Sequence, residues 1–208
     1  MDGIILDVDG TIWNSVAVVV QAWNHVIKEK TDLDVVLSEE DLYATFGKPM
    51  DEICEILFPE MEKEEIARFA EQLFSYENEF LETNHGKLYD GMKETIVELA
   101  KKYPLYIVSN CQKGYIEVML KTMGLARYFK DFLCYGDTLR EKSYTIQQLM
   151  KKNKLKDVIY VGDTTGDQKA CREANIPFVF AKYGFGEIND AKWAIEQPKD
   201  LLAVIQQF

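Results

Sequence analysis

The chain has 208 residues, of which 47% are apolar, enough to bury one good core or a core with a smaller appendage. Its 24 Lys and Arg residues against 35 Asp and Glu residues give a net charge of −11, which argues against a broad surface for nucleic acid or anionic lipid. The four cysteines stand singly, without the spacing of a zinc site, which is typical of reduced thiols and not of a disulfide framework.

The amino terminus opens directly into an apolar run that acids follow, without the basic segment and longer apolar stretch of a secretory signal. No apolar run approaches the length that crosses a membrane. We therefore expect a soluble, cytoplasmic protein with no membrane partner.

The first predicted element is a strand over residues 4–6, and two carboxylates follow it at Asp7 and Asp9. Alternate side chains of a strand share one face, so both acids point the same way if strand pairing continues through them. Two carboxylates about 4 Å apart repel by roughly 4 kcal/mol at an effective dielectric constant near 20. The pattern therefore favours a bound cation or a shared proton, although an ordinary Asp-Gly turn at Gly10 also fits this segment alone.

After Thr11 the apolar residues recur at helical spacing. Ser38 and Asp41 have the spacing of a capping box, and Pro49 is typical of a first helical turn. The aromatic residues of this region, among them Trp23 and Phe46, are predicted to be core, and Lys48 a surface lysine that can alternatively reach a substrate. The predicted helices cover residues 16–27, 38–46, 49–58 and 62–82, with a hinge candidate at 83–86.

From Leu88 onward, short apolar strands alternate with helices, a pattern that indicates a parallel sheet covered on both faces. The predicted fold is an α/β doubly wound parallel sheet with an inserted all-helical cap domain. Residues 1–13 and 86–208 form the predicted core, and residues 14–85 form the cap. The predicted strands are 105–108, 132–135, 158–161 and 178–180, and the helices between and around them are 91–102, 113–123, 143–152 and 166–174.

Polar side chains follow several of these strands, and ligands bind at the carboxyl ends of the strands in an open parallel sheet. Ser109 and Asn110 follow the second strand, Asp163 and Asp167 follow a later one, and Lys142 begins a helix between them. An all-oxygen ligand set suits Mg²⁺ bridging a phosphate to carboxylates, and a carboxylate can itself attack phosphorus. Lys142 can also be read as a solvated lysine in a charged stretch.

Four segments resemble the four motifs of the haloacid dehalogenase superfamily, and specifically of its phosphatases: residues 7–11 (DVDGT), 108–110 (VSN), Lys142 and 162–167 (GDTTGD). The resemblance implies that Asp7 is the nucleophile and Asp9 the general acid and base. It also implies that Ser109, Asn110 and Lys142 bind the phosphoryl group, with Lys142 taking part in catalysis. The implied Mg²⁺ ligands are Asp7, the carbonyl of Asp9 and Asp163, with Asp167 supporting Lys142 or metal-bound water from behind.

Residues 124–129 (GLARYF), residues 183–186 (YGFG) and the helical cap look like members of the phosphoglycolate phosphatase type. The resemblance implies a phosphatase that hydrolyses a small organic phosphate monoester through an aspartyl phosphate, with a small phosphorylated metabolite as partner. A sugar-phosphate mutase of the β-phosphoglucomutase type needs the same acids and stays open, as does a binding protein that keeps the fold without turnover. The sequence does not indicate an oligomeric state.

Overall fold

The computed structural model describes residues 1–208. The strands are β1 (Gly3–Leu6), β2 (Trp13–Asn14), β3 (Lys87–Leu88), β4 (Leu105–Ser109), β5 (Phe129–Cys134), β6 (Val158–Gly162), β7 (Phe178–Ala181) and β8 (Trp193–Ile195). Six of them form a central parallel sheet with strand order β5-β4-β1-β6-β7-β8. The short strands β2 and β3 form a separate antiparallel pair.

Strand β1 lies at the point where the strand order reverses. The chain adds β4 and β5 on one side of it and β6, β7 and β8 on the other, which opens a crevice at the carboxyl ends of the central strands. Ile4 pairs with Leu105 on one neighbour and with Ile159 on the other. Every residue of β1 is buried, because helices cover both faces of the sheet.

Helices make up the rest of the regular structure. Short 3₁₀ turns occur at residues 126–128, 198–200 and 205–207. No helix is both long enough and apolar enough to cross a membrane. The helices are α1 (Val16–Lys30), α2 (Glu39–Tyr43), α3 (Met50–Leu57), α4 (Lys63–Leu81), α5 (Met92–Ala100), α6 (Tyr115–Thr122), α7 (Tyr135–Thr138), α8 (Lys142–Asn153), α9 (Thr165–Ala174) and α10 (Leu201–Val204).

The helices α1 to α4 form the cap and contain all the regular structure between residues 16 and 81. Helix α4 packs against both α1 and α3, and its apolar stripe of Ile66, Phe69 and Leu73 is buried. The predicted capping box of α2 is present, since the Ser38 hydroxyl accepts from the Asp41 amide and the Asp41 carboxylate accepts from the Ser38 amide. One continuous apolar core runs from the sheet into the cap.

The α/β sheet with a helical cap is confirmed, but the prediction missed several short elements. Strand β8, the pair β2–β3 and the four-residue helix α7 were absent from it, because elements of two to four residues carry too little apolar periodicity to be recognised. The chain enters the cap after β2 and leaves it before β3, and these two strands pair with each other, with Asn14 opposite Lys87. The predicted boundary between residues 13 and 14 therefore falls inside a strand.

The predicted bounds of the strand near Phe132 were also wrong. Strand β5 starts at Phe129 and ends at Cys134, whereas Tyr135 begins helix α7. The carboxylate of Asp137 accepts a hydrogen bond from the Cys134 amide at 3.1 Å and so caps the helix at that point.

Candidate active site

Three carboxylates meet in the crevice at the carboxyl ends of β1 and β6. The Asp7 amide donates to the Val161 carbonyl at 2.9 Å, so Asp7 still belongs to the hydrogen-bonded ladder of β1 and β6. One carboxylate oxygen from each of Asp7, Asp163 and Asp167 lies within 4.8 Å of the other two, and all three residues are buried. Three of the four acids that the sequence predicted at this edge of the sheet, Asp7, Asp163 and Asp167, are therefore brought together.

Lys142 lies in the middle of these acids. Its Nζ is 3.0 Å from Asp7 Oδ2 and 2.6 Å from Asp167 Oδ1, and the residue is 5% exposed, so the reading of a solvated lysine is wrong. Burial lowers the pKa of Lys142, but the two carboxylates outweigh burial and raise it, so the ammonium stays charged. Three carboxylates and one ammonium give −3 + 1 = −2 when all four are ionised.

The Asp163 carboxylate is held by one backbone amide and one side-chain hydroxyl from two different loops. Its Oδ2 accepts from the Phe185 amide at 2.7 Å, and the Thr11 hydroxyl donates to its Oδ1 at 3.3 Å. Gly10 has φ +77°, and a Cβ at that position would overlap the Asp163 carboxylate. A glycine is therefore required where the chain leaves β1, both for its conformation and for the approach of this acid.

The two carboxylate oxygens of Asp167 accept hydrogen bonds from different partners. Oδ2 accepts from the Thr164 amide at 2.9 Å and from the Thr164 hydroxyl at 2.7 Å, which caps α9, while Oδ1 accepts from Lys142. The capping box between Thr164 and Asp167 fixes the carboxylate on the backbone. The capping interaction with Thr164 therefore fixes the Asp167 carboxylate, and this carboxylate in turn positions Lys142.

The donor set of this cluster fits a hard divalent cation. Oδ1 of Asp7 is buried and has no hydrogen-bond partner, so one oxygen of the central carboxylate is free to bind an ion. Burial raises the pKa of Asp7 to about 7 against the opposing attraction of Lys142, and burial with the neighbouring charges of Asp167 and Asp7 raises that of Asp163. A divalent cation with oxygen ligands offsets the net charge of −2.

The Asp9 carboxylate is not part of this cluster, because a different set of groups holds it. Ser15 Oγ and Tyr115 Oη each lie within 2.8 Å of Asp9 Oδ1 and 2.7 Å of each other. Both hydroxyl groups donate to Asp9 Oδ1 and so fix the position of this carboxylate. Burial raises the pKa of Asp9 to about 6, although the hydrogen bonds from Ser15 and Tyr115 lower it.

Ser109 and Asn110 lie at the carboxyl end of β4, and both line the cavity. Ser109 is the last residue of β4, is buried and lines the same cavity as Asp7 and Asp9. The Asn110 side chain donates to the Gly47 carbonyl at 2.8 Å, so it links the core to the loop between α2 and α3 of the cap.

The cap closes the cavity from above. Its lining combines the core residues Asp7, Asp9 and Ser109 with residues of the cap and of the loop after β4. Phe46, predicted as core, is half-buried and lines this space, and Lys48 lies exposed at its edge. The remaining lining residues are Gly47, Met50, Ile53, Glu77, Asn110, Cys111, Gln112 and Tyr115.

Four polar residues of the site were not predicted from the sequence: Ser15, Glu77, Gln112 and Tyr115. Ser15 stands at the N-cap position of α1, but Asn14 Oδ1 accepts from the Val16 amide and leaves the serine hydroxyl for Asp9. Glu77 did carry a readable signal. It stands four residues after Leu73 in the apolar stripe of α4, and an acid at a stripe position faces either the core or a site.

Comparisons with known proteins agree with this geometry. The family model for haloacid dehalogenase-like hydrolases matches residues 4–181. A phosphoglycolate phosphatase of Synechococcus elongatus is 27% identical over 58% of this chain and 60% of its own length. A protein of Clostridium perfringens designated as a pyrophosphatase is 24% identical over 98% of this chain and 97% of its own.

A solved structure agrees over nearly the whole molecule. The crystal structure of a predicted phosphoglycolate phosphatase from Haemophilus somnus superposes with a TM-score of 0.84, at 25% identity, and covers 99% of this chain and 98% of that one. The similarity to phosphoglycolate-phosphatase-type proteins that the sequence predicted is confirmed. Because the family model spans most of the chain, from β1 to β7, this protein belongs to the haloacid dehalogenase-like hydrolase family.

Proposed function

We propose that the protein is a magnesium-dependent phosphatase of the phosphoglycolate phosphatase type, which hydrolyses a small organic phosphate monoester through an aspartyl phosphate on Asp7. The observation that carries the proposal is the free, buried oxygen of Asp7 in a cavity that Asp9 also lines. The relatives named as phosphoglycolate phosphatases support the same reaction class. In this proposal residues 1–13 and 86–208 are the catalytic core and residues 14–85 the cap.

In the first step, an oxygen of Asp7 attacks phosphorus and the bond from phosphorus to the leaving alcohol breaks. Asp9 gives its proton to the leaving oxygen, a role that suits a carboxyl with a pKa of about 6 that Ser15 and Tyr115 hold in position. Lys142, which contacts Asp7, attracts the developing negative charge.

In the second step, a water molecule attacks the phosphoryl group on Asp7. Asp9, now ionised, takes the proton of that water, and the bond between phosphorus and Asp7 breaks to release inorganic phosphate. The cap excludes other water during the first step, because it roofs the cavity with Phe46, Met50 and Ile53.

Asp7 and Asp163, with the main-chain carbonyl of Asp9, would hold Mg²⁺. When bound, the ion supplies positive charge next to the transferring phosphoryl group. Asp167 keeps Lys142 in position from behind, with its own carboxylate fixed by Thr164. Ser109 and Asn110 complete the phosphate site.

The test is the release of inorganic phosphate from a panel of phosphate monoesters, with magnesium and with EDTA, by the wild type and by Asp7→Asn. We expect magnesium-dependent release by the wild type and none by the variant, with the circular dichroism spectrum unchanged. Persisting turnover in Asp7→Asn would contradict the covalent route.

The same panel separates the two alternative functions. A mutase would accumulate a bisphosphate visible by phosphorus NMR, whereas a phosphatase releases phosphate steadily. A binding protein would give no turnover of any ester while magnesium still raised its melting temperature.

A further inference from the structure

Asn78 and Glu77 of α4 and Gln112 of the loop after β4 form one hydrogen-bonded chain whose direction is fixed. The Asn78 side-chain amide donates to the Lys113 carbonyl at 2.9 Å, and a carbonyl can only accept. Oδ1 of Asn78 therefore faces Gln112 and accepts from Gln112 Nε2 at 3.1 Å. Gln112 Nε2 also donates to Glu77 Oε1 at 3.0 Å.

This direction leaves Gln112 with an acceptor that nothing satisfies. Since both neighbours of its amide nitrogen are acceptors, the amide cannot be turned round. Gln112 is 8% exposed, and its Oε1 is buried without a hydrogen-bond partner. A buried acceptor without a donor is unfavourable, so the site lacks one N–H or O–H group.

Glu77 adds a second acceptor beside the first. The residue is 2% exposed, and its Oε2 accepts from the Trp23 indole at 2.6 Å, so both oxygens take hydrogen bonds from N–H donors. Each carboxylate oxygen has two lone pairs, so Glu77 has capacity for a further donor. Burial raises the pKa of Glu77 to about 7, and the hydrogen bonds from Gln112 and Trp23 oppose that rise.

Glu77 and Gln112 are among the residues that line the cavity, together with Asp7 and Asp9 of the core. The apolar side chains of Met50 and Ile53 line the same cavity, which suits the carbon atoms of a leaving group. A carboxylate on that leaving group has no hydrogen to donate and would lie among acids.

We infer that Glu77 and Gln112 select phosphate esters whose leaving alcohol carries a second hydrogen-bond donor, a hydroxyl or an ammonium group, and disfavour those that carry a carboxylate. The inference rests on the proposed phosphatase function and narrows its substrate class. It assigns a specificity role to two residues that do not take part in the chemical steps.

The opposing possibility is that the cavity holds a carboxylate through Lys48. Lys48 is exposed and lines the same cavity, so its ammonium is the group that could bind such a carboxylate. Three esters of equal chain length separate the two cases: 2-phosphoglycolate, 2-hydroxyethyl phosphate and O-phosphoethanolamine. Their terminal groups are negative, neutral and positive.

The experiment measures kcat/KM for these esters at pH 8 with magnesium. We expect the wild type to favour one or both donor-bearing esters over 2-phosphoglycolate by at least about tenfold, roughly 1.4 kcal/mol. Glu77→Gln keeps the shape of the side chain and removes its charge, and we expect it to reduce that ratio at least about fivefold. Gln112→Met removes the unpartnered acceptor and gives the same test if Glu77→Gln does not fold.

Lys48→Met is the control, and we expect it to leave the wild-type preference in place. A wild type that favours 2-phosphoglycolate, with a preference that Lys48→Met removes, would overturn the inference and leave the phosphatase proposal standing. Ratios that neither Glu77→Gln nor Gln112→Met changes would do the same. A lack of turnover of all three esters and of p-nitrophenyl phosphate would overturn both.

Discussion

The two sides of the cavity are built differently. On the core side, Asp7 lines the cavity, and Lys142 and Asp163 lie next to Asp7 without lining it themselves. All three stand at strand ends or helix starts, where the sheet ladder and helix capping fix the backbone. On the cap side, Glu77, Met50 and Phe46 project from two helices and the loop between cap helices. The core side is a cluster of charges in ion pairs, whereas the cap side is a mainly apolar surface with one carboxylate.

The difference separates chemistry from recognition. A phosphoryl group is the same in every phosphate ester, so the groups that meet it can be held rigidly by the sheet. Leaving groups vary, and helix faces can change their side chains without disturbing strand pairing. Substitutions on the core side should therefore affect all esters alike, and those on the cap side should change ratios between esters.

The largest effect is expected for Asp7→Asn, because it removes the proposed nucleophile itself. We expect kcat for every ester to fall by at least about a thousandfold. Phosphate release from several esters in parallel checks the result, with Asp34→Asn in the exposed loop after α1 as the control for loss of a carboxylate. A loss confined to some esters would break the division between the two sides.

This core side was also the part that the sequence predicted well. Asp7, Asp163, Asp167 and Lys142 follow or begin short apolar segments, and the ends of parallel strands meet in space whatever lies between them. A local pattern is then enough to bring residues together across 156 positions of chain, as for Asp7 and Asp163.

The cap side could not be predicted in the same way. Glu77 meets Trp23 and Gln112 only because α4 packs against α1 and lies over the loop after β4. That packing depends on side-chain fit between helices, which periodicity does not specify. Tyr115 is a further case, since an aromatic residue at the start of a helix reads as core until Asp9 is known to lie 2.8 Å away.

The second prediction concerns the one carboxylate of the cap side, Glu77. Its pKa is about 7 in the folded protein against an ordinary value of 4.5, so the folded state binds this proton more tightly than the unfolded state. The stabilisation that the proton gives is fully present below pH 4.5 and is lost as the pH rises through 7. Between pH 5 and pH 8 the loss is roughly 2–3 kcal/mol.

Glu77→Gln cannot titrate and should lack this loss. Urea unfolding of the wild type and of Glu77→Gln, without magnesium, gives the difference between their unfolding free energies at pH 5 and at pH 8. The change in this difference between the two pH values measures the contribution of the Glu77 proton. If the unfolding free energies of the two proteins had the same pH dependence, burial would not raise the pKa of Glu77, and the prediction would be wrong.

The third prediction concerns the proposed magnesium site on the core side. Magnesium should raise the unfolding free energy of the wild type by about 2.7 kcal/mol at a concentration one hundred times its Kd. Asp163→Asn should lose most of this gain, because it removes a carboxylate from the cluster. Glu77→Gln should keep it, since Glu77 lies on the other side of the cavity. Thermal melting with magnesium and with EDTA makes the comparison.

The smallest effect is expected where the two sides meet, at Tyr115. Tyr115→Phe removes a hydroxyl that bonds both Asp9 and Ser15, so Asp9 is less well positioned to protonate the leaving oxygen. We expect kcat for an alkyl phosphate to fall about tenfold. p-Nitrophenyl phosphate should lose less, because its leaving group needs little help from an acid. Tyr128→Phe, outside the cavity, is the matched control. An equal loss on both esters would mean that Tyr115 acts through the fold of the cavity and not through the proton on Asp9.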